Sequence, residues 1–398
     1  MDPATEKSVI VGSMGPSSQR SRNITMLLNS KTYLRQIEHR VRHQLIALFC
    51  LIALAAPPTA RACSRVLYTA KDGMVITGRS MDWGSDMMSD MWVLPRGMRR
   101  DGMGGTNSIH WESKYGSLIV AAYNMATCEG MNEKGLVVNM LALVESDYGI
   151  PPQGQKVICI STWAQYMLDH FATVAEAVTE VEKEGFQVQT TVMPTGKTAN
   201  MHLSLSDASG DSAIFEYVKG KLVIHHGKNA RVMTNSPVYD KQIAIQEYWQ
   251  DAGSLMGFLP GTPRATDRFA RALVYLDAIP TETKSAYITG VPEQKFQFQA
   301  MMSVLSVMRS VGTPLGITIE DQPYTSSTIW RTVSDSTHRV ILFDSAMAPA
   351  TFWVKLENLN FEAGAPVQKL ELAGGKTYSA NAADKFIDEK LFDFAPLH

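Results

Sequence analysis

Residues 63–83 read CSRVLYTAKDGMVITGRSMDW. Ser64–Thr69 alternates as a strand, with Val66 and Tyr68 on one face, Ala70-Lys71-Asp72-Gly73 supplies turn residues, and Met74–Arg79 is a second short apolar strand. The stretch is a β-hairpin. If Thr69 and Met74 flank the turn, antiparallel pairing sets Cys63 opposite Ser80, with Arg79 and Asp82 adjacent to it. A guanidinium near a sulfur favours thiolate, and a carboxylate near an amine fixes and orients it. Without a cysteine at position 63, Arg79 and Asp82 would read as a surface ion pair at a strand end.

What precedes the hairpin is a different kind of sequence. An apolar run of about a dozen residues, Leu45–Ala56, follows Arg35, Arg40 and Arg42 and ends in Pro57, Pro58 and the triplet Ala60-Arg61-Ala62. It reads as a secretory signal. A membrane-spanning helix needs about 20 apolar residues, and the two prolines stop the run short. Cleavage after Ala62 would remove residues 1–62, make Cys63 the first residue, and leave 29 Lys and Arg against 36 Asp and Glu. Residues 63–398 are then expected to form a single domain, exported to the periplasm or secreted.

A cysteine at a new N-terminus carries its own base. The unperturbed α-amine has a pKa of about 7.7–8.0 and the thiol about 8.5, so near neutrality the amine can take the thiol proton with no histidine involved. Two other readings compete. Cys63 could be a small core residue, or the acylated cysteine of a lipid-anchored binding protein; Arg61 sits where that second reading wants a small side chain.

The 398 residues are 45 % hydrophobic and 19 % charged, which suits an ordinary globular protein of one or two domains. With 37 Lys and Arg against 39 Asp and Glu, the chain lacks the basic field that phosphate binding requires, so a nucleic-acid partner is not expected. Cys50, Cys63, Cys128 and Cys159 include no CxxC pair and the nine histidines no HExxH or HxH spacing, so neither a metal nor a cofactor is expected. After removal of Cys50, three cysteines remain. Cys128 and Cys159 are then either bridged or buried as free thiols. His225 and His226 are strand neighbours pointing to opposite faces and cannot chelate one metal, and Met301, Met302 and Met308 sit at helical spacing as core.

Further along, Ser117–Tyr123 and Leu136–Leu143 read as buried strands, and Ser161–His170 and Val174–Glu184 as helices. Met201–Ser206, Ala213–Val218 and Leu222–His226 read as an antiparallel meander. Helices follow at Arg264–Leu276 and Phe296–Val311, then strands at Thr328–Val333, Arg339–Asp344 and Thr351–Leu356. Strands and helices in separate blocks indicate an α+β fold.

Five motifs in order, Cys63-Ser64-Arg65, Gly78-Arg79-Ser80-Met81-Asp82-Trp83, Gly130-Met131-Asn132-Glu133-Lys134-Gly135-Leu136, Met233-Thr234-Asn235-Ser236-Pro237, and Leu259-Pro260-Gly261 with Asp267-Arg268-Phe269, resemble the choloylglycine hydrolase and penicillin V acylase family. These are N-terminal-nucleophile amidases. The resemblance spans most of residues 63–355 and implies a four-layer αββα sandwich, assembled as a homotetramer. By the same resemblance Cys63 is the nucleophile, Arg79 and Asp82 polarise it and hold its amine, Asn235 donates to the oxyanion, and Arg268 is a second guanidinium of the site. Counting from Asn132, the second oxyanion donor falls at Ala142, which can serve through its backbone N–H; a side-chain donor would have to be Asn139, out of register.

An apolar acyl group needs an apolar, concave pocket. Trp83, Met87, Met88, Met91 and Trp92, on a flexible loop after the hairpin, offer that lining, and Asn139 joins them as a substrate-binding candidate. Trp83 to Arg100 and Asn139 to Tyr148 resemble the Gram-negative branch of the family, which again implies a periplasmic enzyme. The substrate is expected to be a small-molecule amide: a glycine- or taurine-conjugated bile salt first, then penicillin V or an N-acyl homoserine lactone. No stable membrane insertion is expected.

Overall fold

In the computed structural model, which describes residues 63–251, 259–317 and 326–398, the first hairpin pairs β1 (Ser64–Thr69) with β2 (Val75–Trp83). The apolar run Leu45–Ala56 and the junction after Ala62 lie outside the described residues. The register differs from expectation by one residue. Ser64 faces Ser80 and Thr69 faces Val75, so the ladder carried one step back sets Cys63 opposite Met81. The turn explains the shift: Ala70 N–H donates to Met74 O, Gly73 N–H donates to Ala70 O, and Gly73 takes φ +88°. A left-handed glycine after a tight turn inserts one extra residue on the second strand.

The second strand also runs longer than expected, through Asp82 to Trp83, and all nine of its residues are buried. It lies at the middle of a seven-stranded sheet whose order is Val232–Met233, β1, β2, Ser327–Asp335, Val340–Ser345, Thr351–Lys355, Ala380–Asn381. Gly78 is required there: a Cβ would come within 2.8 Å of Val304 and Met308, on the helix Phe296–Val311 that crosses the outer face of this sheet. Ala265–Ala278 packs beside that helix and against β1.

A nine-stranded sheet forms the other half of the sandwich. Its order is Lys221–His226, Ser212–Val218, Met201–Ser206, Val137–Ala142, Ala126–Asn132, Ser117–Ala122, Met91–Leu94, Gln368–Leu370, Ile387–Asp388. The expected meander is present at its start. Ile160–His170 covers this sheet's outer face, and Val174–Val181 buries Val174, Ala177, Val178 and Val181 on the same side. Two helical layers thus enclose two sheets, the α+β αββα sandwich.

The NEKGL motif is part of this packing. Asn132 accepts from Lys134 and Leu136 N–H with Oδ1 and donates through Nδ2 to Leu168 O and Phe171 O, which ties the turn to the end of Ile160–His170. Gly135, at φ +89°, approaches Ser336 so closely that a Cβ would meet its carbonyl at 2.4 Å.

Met91–Leu94 corrects the flexible-loop expectation. It is a buried strand, hydrogen-bonded between Ser117–Ala122 and Gln368–Leu370. Among the described residues, Cys63, Cys128 and Cys159 are all free and buried, so the open question about Cys128 and Cys159 resolves to thiols. No described helix is long and apolar enough to cross a membrane, and no group of three or more described His, Cys, Asp or Glu side chains could hold a metal ion.

Candidate active site

Three elements converge on Cys63. The strand Val232–Met233 pairs with β1 so that Met233 faces Arg65, and the same register extended brings Asn235 beside Cys63. Cys63 N–H donates to Asn235 Oδ1 at 2.7 Å. Arg268, fully buried on Ala265–Ala278, clamps the group: Nη1 donates to Cys63 O and to Ser64 Oγ (2.6 Å), and Nη2 to Asn235 Oδ1 (2.7 Å). With Oδ1 so engaged, Asn235 Nδ2 points the other way and donates to Ala142 O at 2.7 Å. An amide nitrogen carries two hydrogens, so one Nδ2 hydrogen remains for a ligand.

Residues that sequence reasoning missed hold this loop. Gln242 Nε2 donates to Asn235 O (2.5 Å) and Pro237 O (2.7 Å), and its Oε1 accepts from the Thr234 hydroxyl (2.6 Å). His202 Nε2 meets Thr234 O at 2.8 Å while Nδ1 meets Glu216 Oε1 at 3.0 Å. A polar residue on a helix nobody reads as functional gives no local signal, which is why Gln242 escaped notice.

Ala142 sits where one strand parts from its neighbour. Ala126–Asn132 pairs with Val137–Ala142 only from Glu129 to Met131, opposite Asn139 to Val137. Beyond that point the carbonyls of Met140 and Ala142 accept from Arg79 Nη2 (3.2 Å) and Asn235 Nδ2. Leu143 N–H donates to Asn200 O on the other side, so strand alternation turns the N–H of Ala142 into the same opening. The geometry favours the backbone donor over Asn139, whose side chain lies opposite Glu129 and lines no part of the cavity.

Burial dominates the electrostatics around the sulfur. Burial pushes the Cys63 thiol up; Arg79 pulls it down most strongly, Asp82 adds to the rise, and Arg268 opposes it. The sulfur touches Met81 Sδ (3.9 Å) and Asp82 O (3.8 Å). Both carboxylate oxygens of Asp82 are buried without a hydrogen-bond partner at bonding distance. Burial raises that carboxyl to about 6, against the pull of Arg268, the Thr328 hydroxyl, Arg331 and Arg79. An amine at Cys63 would give the carboxylate a cationic partner; in the full chain the same atom is a peptide nitrogen.

An apolar cavity of about 80 Å³ opens on Cys63. Met81, Trp83, Met87, Met140, Ile160 and Met201 are part of its apolar wall, and Arg79, Cys128 and Ala142 line it as well. Trp83 and Met87 therefore stand where expected. Trp92 does not: its indole donates to Asn124 Oδ1 (2.9 Å) and packs edge-on against Phe392 (centroids 5.3 Å apart), because it belongs to the buried strand Met91–Leu94. Cys128, read from the sequence as either bridged to Cys159 or a buried thiol, lies against Arg79 Nη2 at 3.3 Å, and burial pushes it up to about 12.

Residues 63–369 match the family of linear amide C–N hydrolases, choloylglycine hydrolase family. The chain is 39 % identical over 374 residues to penicillin V acylase of Pectobacterium atrosepticum, covering 90 % of this chain and 98 % of that protein. It is 28 % identical over 192 residues to a bile salt hydrolase/transferase of Clostridium perfringens, covering 46 % of this chain and 56 % of that one. Among solved structures, penicillin V acylase from Agrobacterium tumefaciens superposes with a TM-score of 0.76 at 45 % identity, over 84 % of this chain and 100 % of that chain. A mutant conjugated bile acid hydrolase from Clostridium perfringens shares the fold, with a TM-score of 0.64 at 18 % identity over 79 % of this chain and 98 % of its own.

Proposed function

The chain belongs to the linear amide C–N hydrolases of the choloylglycine hydrolase family, and from that premise we propose that it is an exported penicillin V-type acylase whose nucleophile is an N-terminal Cys63. Release of residues 1–62 after Ala62 frees the α-amine, and residues 63–398 then act as one N-terminal-nucleophile domain in the periplasm. The amine takes the thiol proton, and the thiolate attacks the amide carbon. The oxyanion that forms is held by the spare Asn235 Nδ2 hydrogen and Ala142 N–H, while Asp82 balances the ammonium. The ammonium gives its proton to the leaving nitrogen as the C–N bond breaks. The amine next takes a proton from water, which attacks the thioester, releases the acid and restores the thiol.

The observation that carries this assignment is the apolar cavity ending on the Cys63 sulfur, with Arg79 the charged group at its floor. Such walls accept an aryl or alkyl acyl group and leave the polar half of the amide toward solvent. The burial of Cys63, 2 % exposed as a residue, also speaks for the enzyme over the lipid-anchored alternative, which needs the cysteine at the surface. The penicillin V assignment rests on relatives at 39 % and 45 % identity covering nearly all of their own lengths. Bile-salt deconjugation, placed first on sequence alone, stands second, supported by the shorter 28 % match.

Steady-state hydrolysis of penicillin V, glycocholate, taurocholate and a long-chain acyl homoserine lactone tests the assignment. Penicillin V is expected to lead glycocholate in kcat/KM by about tenfold or more, a difference that pocket shape alone can supply. A lead for glycocholate moves the assignment to bile salts, and turnover of none of the four overturns it.

A further inference from the structure

Arg79 and Glu129 meet across the middle of the sandwich. Arg79 Nη1 lies 3.3 Å from Glu129 Oε2, an ion pair without hydrogen-bond geometry, with the two side chains 1 % and 3 % exposed. It is the ion pair that Arg79 makes among the described residues. The remaining contacts of the guanidinium are weaker acceptors: Met140 O at 3.2 Å, Cys128 Sγ at 3.3 Å and Met81 Sδ at 3.5 Å, with the Trp330 ring 4.5 Å from its carbon. The Cys63 sulfur also touches Met81 Sδ, so thiol and guanidinium share that neighbour.

The rungs behind the pair are ordered too. Thr332 stands directly opposite Arg79 in one sheet and Asn139 directly opposite Glu129 in the other. Burial pushes the Glu129 carboxyl up, and Arg79, Thr332 and Asn139 work against that rise. A long buried cation whose ion-pair partner is removed stays charged and is no longer held in one place.

We propose that Glu129 is a positioning residue for the hydrolysis: its carboxylate fixes the Arg79 guanidinium beside the Cys63 sulfur, and Asn139 and Thr332 fix the carboxylate. This rests on Cys63 being the attacking group. Position and charge pull in opposite directions. Deleting a nearby negative charge by itself would lower the thiol pKa, whereas letting Arg79 drift away from the sulfur raises it.

The test is the pH dependence of Cys63 alkylation by iodoacetamide, followed by peptide mass mapping so that Cys128 is counted separately, together with kinetics of the same proteins. Glu129→Ala is expected to move the alkylation midpoint upward by about one to two pH units. It should also lower kcat about 10- to 100-fold with KM hardly changed, the size of effect that a misplaced group produces. Thr332→Val, nearly the same shape, should move the midpoint the same way by less, and serves if Glu129→Ala does not fold. A downward shift would mean that Glu129 acts by charge alone, and an unmoved midpoint with a lower Tm that it is structural; either overturns the proposal. Alkylation needs no substrate. An error in the nucleophile or substrate shows as wild-type protein without amide turnover, whereas an error here shows as unmoved variants beside an active wild type.

Discussion

Cys63→Ala is expected to reduce amide hydrolysis by about 10⁵- to 10⁶-fold while the protein stays folded, the loss seen when a nucleophile is deleted and only binding and oxyanion contacts remain. Its backbone N–H and carbonyl, held by Asn235 and Arg268, are untouched by the substitution. Only the sulfur goes, and its contacts are long, 3.8 Å to Asp82 O and 3.9 Å to Met81 Sδ. The void left is that of one atom beside an existing cavity, and a cost of roughly 1 kcal/mol follows, well within what a folded domain tolerates. Single-turnover hydrolysis and thermal unfolding, measured side by side, check both halves. Substantial retained activity would reject the mechanism.

Asn235→Ala should slow kcat by on the order of 10²–10³, the cost of one oxyanion donor. The side chain also accepts from Cys63 N–H and from Arg268 Nη2, so alanine removes a scaffold along with a donor. Asn235→Asp separates the two. It keeps an oxygen for Cys63 and Arg268 but offers the oxyanion a carboxylate, and its loss should equal or exceed that of alanine. If Asn235→Asp retains near-normal kcat, the residue is scaffold and the oxyanion is held elsewhere.

Much of the fold was legible because its elements obey short-range rules. Phe296–Val311 and Met201–Ser206 occur with the bounds their periodicity gives, since each has one clear apolar face or alternation. The first hairpin was legible in place but not in register, because a glycine at φ +88° inserts a residue that no alternation pattern announces. Met91–Leu94 failed for a different reason. A four-residue run with two neighbours far away in sequence becomes a strand only when Ser117–Ala122 and Gln368–Leu370 pair with it. Trp92 was misassigned along with it.

The site divides in a similar way. Cys63, Arg79 and Asp82 sit on one hairpin, so local pairing brings them together; Asn235, Arg268 and Ala142 entered through resemblance, since chain order says nothing of their convergence. Cys128 and Glu129 were not recognised as site residues because their meaning lies across the sandwich: the strand Ala126–Asn132 looks unremarkable until it faces β2 and Arg79. Asn139 was noticed for the wrong role. Its neighbour Met140 faces the cavity, and strand alternation sends Asn139 the other way, toward Glu129.

The central claim is that one residue supplies both sulfur and base, and N-terminal sequencing with intact mass of the protein purified from cells expressing the full chain tests it most directly. The account predicts a chain starting at Cys63 with an unblocked α-amine and no added acyl mass. A chain that starts elsewhere, or a cysteine whose nitrogen is blocked, contradicts it.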